Sequence, residues 1–537
     1  MKKLLTILAV LACTVFSSKA QIIHVPEDQP TIQAGIDAAS EGDTVLVSEE
    51  TYFENINFRG KAITVASEYI LDGDTSHISK TIIDGSLPDH SDTASVVSLV
   101  SGEDTTSVLC GFSIAGGTGT SVNALGTILR GGGGILLHNS GGKILNNQIK
   151  GNQLADNETA WNIGAGILAV NEDYRTVIIR DNQINQNSIN AQHFAAGGGV
   201  SVAGGGFLLE ANEIFENQCY SGTDISMGGG IYLFHPENPD LNPLMVISNN
   251  RVYENSLSGV SATETSGGGG IFVNTRWQTT DLKIYNNLIY KNEVEGTGGG
   301  IGFVASIDPV CCNNTIFNNS ASIQGNSIYL NYAAEVILFN NILWSDPANV
   351  NNEIELLESN GANTLFSDYN CIRGGWDGEH DIDQDPMLDE ATLELQPGSP
   401  CIGAGIETIE LGGTTCQAPN YDFRGENPRP YSIDEYVDMG AIESPFAKPS
   451  NGLRMDPDLD PGIELFPNPW ISELTIQMKD NRHMRKIEIL DLQGRLVRII
   501  EEPGSGTISL QRGTLSPGLY LLRIRTEDNV LKKIVVQ

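Results

Sequence analysis

Two runs of alternating carboxylates, Asp381-Ile-Asp383-Gln-Asp385 and Asp456-Pro-Asp458-Leu-Asp460, offer the oxygen ligands that calcium favours. Neither continues into a complete EF-hand loop, and each also reads as ordinary structure: a turn before Pro386, and a solvated Pro-rich stretch. Arg175 and Arg180 bracket the apolar run TVII, with Asp173 and Asp181 beside them. His193 and His235 fall in long inter-repeat segments, where an imidazole could serve as acid or base. Arg276-Trp277 joins a cation to a ring that could stack on a sugar, and Trp161 offers a second such ring. Each of these is also what a solvated surface group looks like. No Ser/His/Asp or Cys/His set has a recognisable local signature.

What must position these residues is a repeat. Across 131–346 a glycine cluster followed by an apolar run recurs: GGGGILL at Gly131, GAGILAV at Gly164, GGGVSV at Gly197, GGGIYLF at Gly228, GGGGIFV at Gly267, GGGIGFV at Gly298 and GNSIYL at Gly325. It alternates with Asn-x-aliphatic-x-x-Asn, starting at Asn147, Asn182, Asn212, Asn250, Asn287 and Asn314, and ending in Asp at Asn341…Asp346. The spacing is 27 to 38 residues, a period that marks a solenoid. Short runs such as KILNNQI and LKIYNNLIY alternate in polarity and contain no amphipathic helix. The expected unit is therefore one coil of a parallel β-helix. Ile149, Ile184, Ile214, Val252, Ile289, Ile316 and Leu343 should form one inward stack, with the leading asparagines stacked at a turn. The glycines read as turn residues rather than a phosphate cradle, because a strand and not a helix follows each cluster. Thr31–Ala39, with Ile32 and Ile36 on one face, reads as a short helix covering the first coil.

Composition agrees. Glycine is 59 of 537 residues, too much for a helix bundle, and 40% of residues are hydrophobic, too many for a disordered chain. With 31 Lys+Arg against 67 Asp+Glu the net charge is -36, which excludes a nucleic-acid partner. The last 75 residues carry 11 basic and 9 acidic groups, so that segment is a module of different composition. Residues 1–20 read as a signal peptide, with basic Lys2 and Lys3, an apolar stretch, and a Ser18-Lys19-Ala20 cleavage site. No later run is long enough to span a membrane. Of the remaining cysteines, Cys401 and Cys416 could pair, or all could be small buried hydrophobes. Adjacent Cys311 and Cys312 should point to opposite sides of a strand.

The stretch VPEDQPTIQAGIDAASEGDTVLVSEETYFENI, with KAITVAS and the GGGG-apolar/Asn coils, resembles the pectin-lyase-like superfamily of right-handed parallel β-helices. Residues about 366–443, with IDQDPMLDEATLELQPGSPCIGAG and DFRGENPRPYSIDEYVDMGAIE, resemble a choice-of-anchor Q region, although Cys401 and Gly403 depart from its usual pattern. FPNP at Phe466, IEILDLQGRLV, LSPGLYLLRI and KKIVVQ resemble the type A C-terminal sorting domain of the type IX secretion system. The fold class these imply is all-β: a single-stranded right-handed parallel β-helix followed by a small immunoglobulin-like β-sandwich. The implied division is signal peptide 1–20, β-helix 21–370, anchor-like region 371–443, linker 444–462 and sorting domain 463–537. The implied destination is outside the outer membrane of a Gram-negative cell, secreted or surface-attached, with the secretion machinery as partner through 463–537.

The reaction is less legible, because this fold hosts lyases, hydrolases, esterases and adhesins. A uronate lyase would need a Lys or Arg base and commonly calcium, and a hydrolase two or three converging carboxylates. The ordered Asn-Thr-Asp, Asp-Asp, His-Gly and Arg-Ile-Lys set of the polygalacturonases is missing from the body. The expectation is a carbohydrate-interacting surface protein with a polysaccharide ligand. A polysaccharide lyase or glycoside hydrolase, and an adhesin, stand as alternatives.

Overall fold

The computed structural model describes residues 20–155, 161–235, 243–259, 266–276, 281–358, 361–425, 427–431, 436–446, 448, 463–467, 469–478, 483–490, 496–525 and 529–536. The proposed signal peptide, save Ala20, and most of the proposed linker lie outside them.

One complete coil shows the plan. The chain runs through Gly142–Leu145, Gln148–Lys150, Gln153–Leu154, Trp161–Ile163 and Ile167–Val170, then begins again at Thr176–Arg180. Each strand pairs in parallel with its equivalent one coil on, which gives five sheets, numbered here in that order; sheets 1, 2 and 5 run most of the stack and sheets 3 and 4 part of it. Sheets 1, 2 and 5 have 12, 11 and 10 strands, and sheets 3 and 4 have six each. Sheet 4 holds a departure from the parallel pairing. Gly119–Ala124 and Thr127–Gly131 form an antiparallel hairpin, turned at Leu125 and Gly126, which both have positive φ.

The expected inward stack is present. Ile149, Ile184, Ile214, Val252, Ile289, Ile316 and Leu343 are aligned residue on residue in sheet 2 and fully buried. The asparagines form two ladders. Asn147, Asn182, Asn212, Asn250, Asn287, Asn314, Asn341 and Asn370 pass Nδ2–H to Oδ1 from coil to coil at 3.0–3.1 Å. The motif's second asparagine makes another ladder through Asn152, Asn187, Asn217, Asn255, Asn292 and Asn319. Each amide also bonds backbone carbonyls of the stack, so the polar groups at these tight corners are satisfied inside a core that excludes water.

Glycine serves two geometries at each cluster. Gly197 has φ +66, and a Cβ on Gly199 would lie 2.8 Å from the Gly230 carbonyl of the next coil. Gly199→Ala is therefore expected to cost about 1–3 kcal/mol by overpacking, read as a lower urea midpoint, whereas Gly151→Ala, with open space around it, should show only the smaller cost of its positive φ. At the front, Thr31 caps the helix Ile32–Ala38, whose Ile32 and Ile36 are buried against the first strands.

After the last coil strand, Cys371–Ile372, the chain turns back, and the described residues within 381–446 lie as a strap over the outer corner between sheets 1 and 2. The outward residues of sheet 2 explain why it stops where it does. From the first coils onward they read Gln148, Gln183, Glu213, Arg251, then Leu288, Thr315, Ile342; beside them Lys150, Asn185, then Phe215, Tyr253, Tyr290, Phe317, Trp344. The strap covers the apolar half, packing Leu393, Ala441 and Ile442 against Leu288 and Phe317, and Leu395, Cys401, Ile402 and Met439 around Ile342 and Cys371. Each large apolar side chain so covered contributes about 1.5–3 kcal/mol.

Cysteine placement corrects one expectation. Cys401 sits beside Cys371, while Cys416 sits in a different cluster with Cys312, so the fold does not bring Cys401 and Cys416 together. Cys311 and Cys312 do point to opposite sides, one into the coil interior and one under the strap. The described residues of 463–536 form a three-stranded and a four-stranded antiparallel sheet around Trp470, Leu474, Ile487, Leu522 and Ile534. Among the described residues no helix is long and apolar enough to cross a membrane.

Candidate functional site

The outward face of sheet 1 changes character along the stack. One row reads Lys283, Val310, Ile337, Phe366, and its neighbour Arg180, Glu210, Ser248, Tyr285, Cys312, Phe339. The strap hairpin Thr408–Leu411 and Thr414–Gln417 packs Ile409, Leu411 and Cys416 onto the apolar end, against Cys312, Ile337, Phe339 and Phe366. Where the rows turn polar the strap no longer lies flush on the sheet. That leaves a cleft of about 720 Å³, with Glu210, Asp281, Lys283 and Tyr285 on the coil wall and Thr415, Gln417, Asn420 and Tyr421 on the strap wall.

Side chains at the sheet 1–sheet 2 corner hold the strap at this distance. In each coil the residue before the ladder asparagine has positive φ, among them Asn249, Asn286, Asn313 and Asn340. Asn249 Nδ2 donates to the Asp422 and Phe423 carbonyls at 3.2 and 2.8 Å, and Asn286 Nδ2 to the Tyr421 carbonyl at 2.7 Å. Asn340 both donates to Ile406 O (2.7 Å) and accepts from Ile406 N (2.9 Å). Beneath them Arg429 is buried against Glu443, and its Nη2 donates to Asn286 Oδ1 at 3.1 Å. Arg251 lies over the Phe423 ring, 5.2 Å from its centroid.

The cleft's ionic groups are paired. Lys283 Nζ is 3.1 Å from Asp281, and Arg180, on the neighbouring coil, lies 3.4 Å from Asp181 and 3.9 Å from Glu210. Burial pushes the Cys312 thiol up to about 12 and raises that of Cys416, so neither is a thiolate nucleophile near neutral pH. The wall can donate to and accept from hydroxyl groups, and it carries carboxylates and a lysine for proton transfer.

The residues singled out from sequence are dispersed. None of those described lines the cleft; Arg180 lies 3.9 Å from its wall residue Glu210. Arg175 Nη1 donates to the Glu103 carbonyl at 3.3 Å, on a turn of an earlier coil. His193 is exposed, and its carbonyl accepts from Ser221. His235 is 5% exposed with its ring 6.4 Å from that of Tyr174, so it is a packed side chain rather than a solvent-facing acid or base. Trp161 and Arg276 belong to one continuous aromatic run on sheets 4 and 5: Trp161 on Phe194, Phe194 on Tyr232, Tyr232 on Phe234, and Arg276 over Phe234 at 4.8 Å. Tyr232 and Phe234 are buried, so the run serves packing before it serves a ligand.

The carboxylates expected to hold calcium do other work. Asp381 terminates the first ladder by accepting from Asn370 N at 2.7 Å and from Ser367 Oγ at 2.6 Å. Asp383 accepts from Gly374 N and Asp385 from Met387 N. They are turn and cap acceptors, not a converging ligand set. Trp277, Asp456, Asp458 and Asp460 lie outside the described residues. Among the described residues, Glu49, Glu68 and His77 bring one ligand atom each within 4.8 Å of one another. There His77 Nδ1 is 2.7 Å from Glu49, which also meets Lys80 at 3.1 Å, a network closed by its own cations.

Comparison with known families assigns the two parts. Residues 199–369 match the family described as right handed beta helix region, and residues 464–537 match the secretion system C-terminal sorting domain. The protein is a secreted right-handed β-helix. No curated protein matches the chain. The β-helix match ends at the last coil, one strand before the strap begins, and the sorting domain is the antiparallel module around Trp470. The cleft therefore lies where the β-helix meets the strap. Sequence reasoning missed it because its walls come from residues about 130–200 positions apart. The one signal was the doubled asparagine at Asn249, Asn286, Asn313 and Asn340, whose first member faces outward.

Proposed function

We propose that this is a type IX-exported surface protein whose β-helix interacts with carbohydrate through the cleft between sheet 1 and the strap. The signal peptide would deliver the chain to the periplasm of a Gram-negative cell and the sorting domain across the outer membrane, for release or attachment. The observation that carries the carbohydrate reading is the cleft, of ligand size and lined by hydroxyl, amide and carboxylate groups with Tyr285 and Tyr421 rings. Retention of the full chain on a panel of immobilised polysaccharides is the test. Tyr285→Ala is expected to weaken retention about tenfold while Trp161→Ala leaves it unchanged. Retention that ignores Tyr285 and follows Trp161 would move the site to the aromatic run on sheets 4 and 5.

A second reading, a hydrolase or lyase, is favoured by Glu210, Asp281 and Lys283 lining one cleft. It predicts new reducing ends or unsaturated products from a bound polysaccharide, lost in Glu210→Gln or Lys283→Ala. Binding without either product would leave the binding reading alone.

A further inference from the structure

We infer that the cleft selects neutral, hydroxyl-rich saccharides and rejects uronate or sulfated ones. This rests on the carbohydrate reading above and adds the ligand's chemistry.

Three carboxylates line the cleft, Glu210, Asp281 and Asp422, against one ammonium, Lys283. An acidic sugar needs a cation free to meet it. Lys283 is already matched by Asp281, and Arg180, beside the wall residue Glu210, is held between Asp181 and Glu210. Cations of the strap and the adjoining coil are committed too: Arg251 to Glu213 and the Phe423 ring, Arg424 to Glu394, and Arg429 to Glu443. A carboxylate or sulfate entering here would lose its water and meet a wall of its own sign. The body as a whole strengthens the effect, since residues 21–462 hold 58 acidic against 17 basic groups.

A neutral pyranose meets the same wall favourably. Each hydroxyl both donates and accepts, and the cleft offers both roles. Glu210 is an acceptor, Gln417 and Asn420 supply amide donors and acceptors, and the Thr415 hydroxyl turns either way. Asp422 is not available, because its carboxylate accepts from Arg424 N, Asn427 Nδ2 and Glu443 N inside the strap. Tyr421 stands at the mouth with 54% of its surface exposed, an open ring for the apolar face of a sugar. Its backbone carbonyl, not its side chain, carries the bond to Asn286, so removing the ring leaves the strap's anchor in place.

Calorimetric titration of the full chain tests this. The probes are neutral gluco-, manno- and xylo-oligosaccharides against oligogalacturonate and a sulfated oligosaccharide of matched length, at physiological salt. At least one neutral series is expected to bind, about tenfold more weakly in Tyr421→Ala, and the acidic probes at least about tenfold more weakly than it. The double variant Glu210→Gln, Asp281→Asn should narrow that gap by favouring the acidic probes, and thermal melting shows whether each variant folds. Oligogalacturonate binding as tightly as any neutral probe, with the same dependence on Tyr421, would overturn the selectivity and keep the carbohydrate reading. Binding of neither class would overturn both.

Discussion

Replacing Asn287 with leucine is expected to destabilise the coil stack by about 3–6 kcal/mol, more than any exposed substitution in the same coil. Its side chain meets five polar partners, three of them sharing the two N–H groups of Nδ2. Nδ2 donates to the carbonyls of Ile247 (2.9 Å) and Tyr285 (3.0 Å) and to Asn314 Oδ1 (3.0 Å), and Oδ1 accepts from both the backbone N and Nδ2 of Asn250 at 3.0 Å. Leucine has similar volume, so the loss is not a cavity but several buried polar groups left without partners. Gln183→Leu, on the outer face, is the control and should shift stability by no more than about 0.5 kcal/mol. Because each coil contacts chiefly its neighbours, hydrogen exchange should show the opening centred on the coils around 250–314. A cost below about 1 kcal/mol would mean that the apolar stack alone holds the coils together.

Arg429→Ala should release the strap. The guanidinium is 1% exposed and faces Glu443, which is fully buried; it also donates to Asn286 Oδ1 and to the Asp438 and Ala441 carbonyls. Removing it leaves the Glu443 carboxyl, Asn286 Oδ1 and the Asp438 and Ala441 carbonyls without their buried donor, a loss of about 3–5 kcal/mol. The loss should fall on the strap, read as protease cleavage within 381–446 while the coils stay resistant. Arg429→Met, which keeps the packing but not the charge, separates the ionic contribution from the apolar one. The same cluster sets a pH dependence. Burial raises the carboxyls of Glu443, to about 8, and Asp438, to about 6, although Arg429 opposes it in both. The docked strap therefore holds protons more tightly than the released strap. Docking should be firmest in mild acid and weaken as pH climbs from ordinary carboxylate values toward 8. Protease resistance of the strap that rises over that window would contradict the assignment.

Both predictions concern contacts that the sequence reveals unequally. The ladder asparagines and the inward aliphatic stack were legible because a solenoid converts sequence period into spatial alignment. Residues equivalent in the repeat must lie one strand spacing apart, and a side chain that recurs in every coil can be assigned its face from the repeat alone. The helix at Ile32, the opposite orientations of Cys311 and Cys312, and the sorting domain were legible for a related reason, since each is decided within a few residues or by a compact motif. The hairpin at Gly119–Gly131 was not, because its single occurrence has no second copy to set it against.

Candidate chemistry fared differently. His235 and Trp161 stand out as residue types in long inter-repeat segments and Arg175 as a cation beside an apolar run, and residue type does not say whether a group meets solvent or a neighbour. His235 is packed, Arg175 grips a turn two coils back, and Trp161 supports Phe194. Asp381 was read as an oxygen ligand for an ion, while its actual partner is the last amide of a ladder whose end cannot be seen without knowing where the coils stop.

The amino-acid sequence by itself determined the coil, its stacking and the secretion sorting domain, because those follow from local periodicity and from a self-contained terminal module. Only the tertiary structure decided where a ligand could sit. The cleft exists because the chain, after its last coil, returns over sheets whose outer faces pass from apolar to polar, and lies flush on one part and clear of the other. That match is between residues far apart in the chain, and burial and charge at such a contact are properties of the fold rather than of any segment.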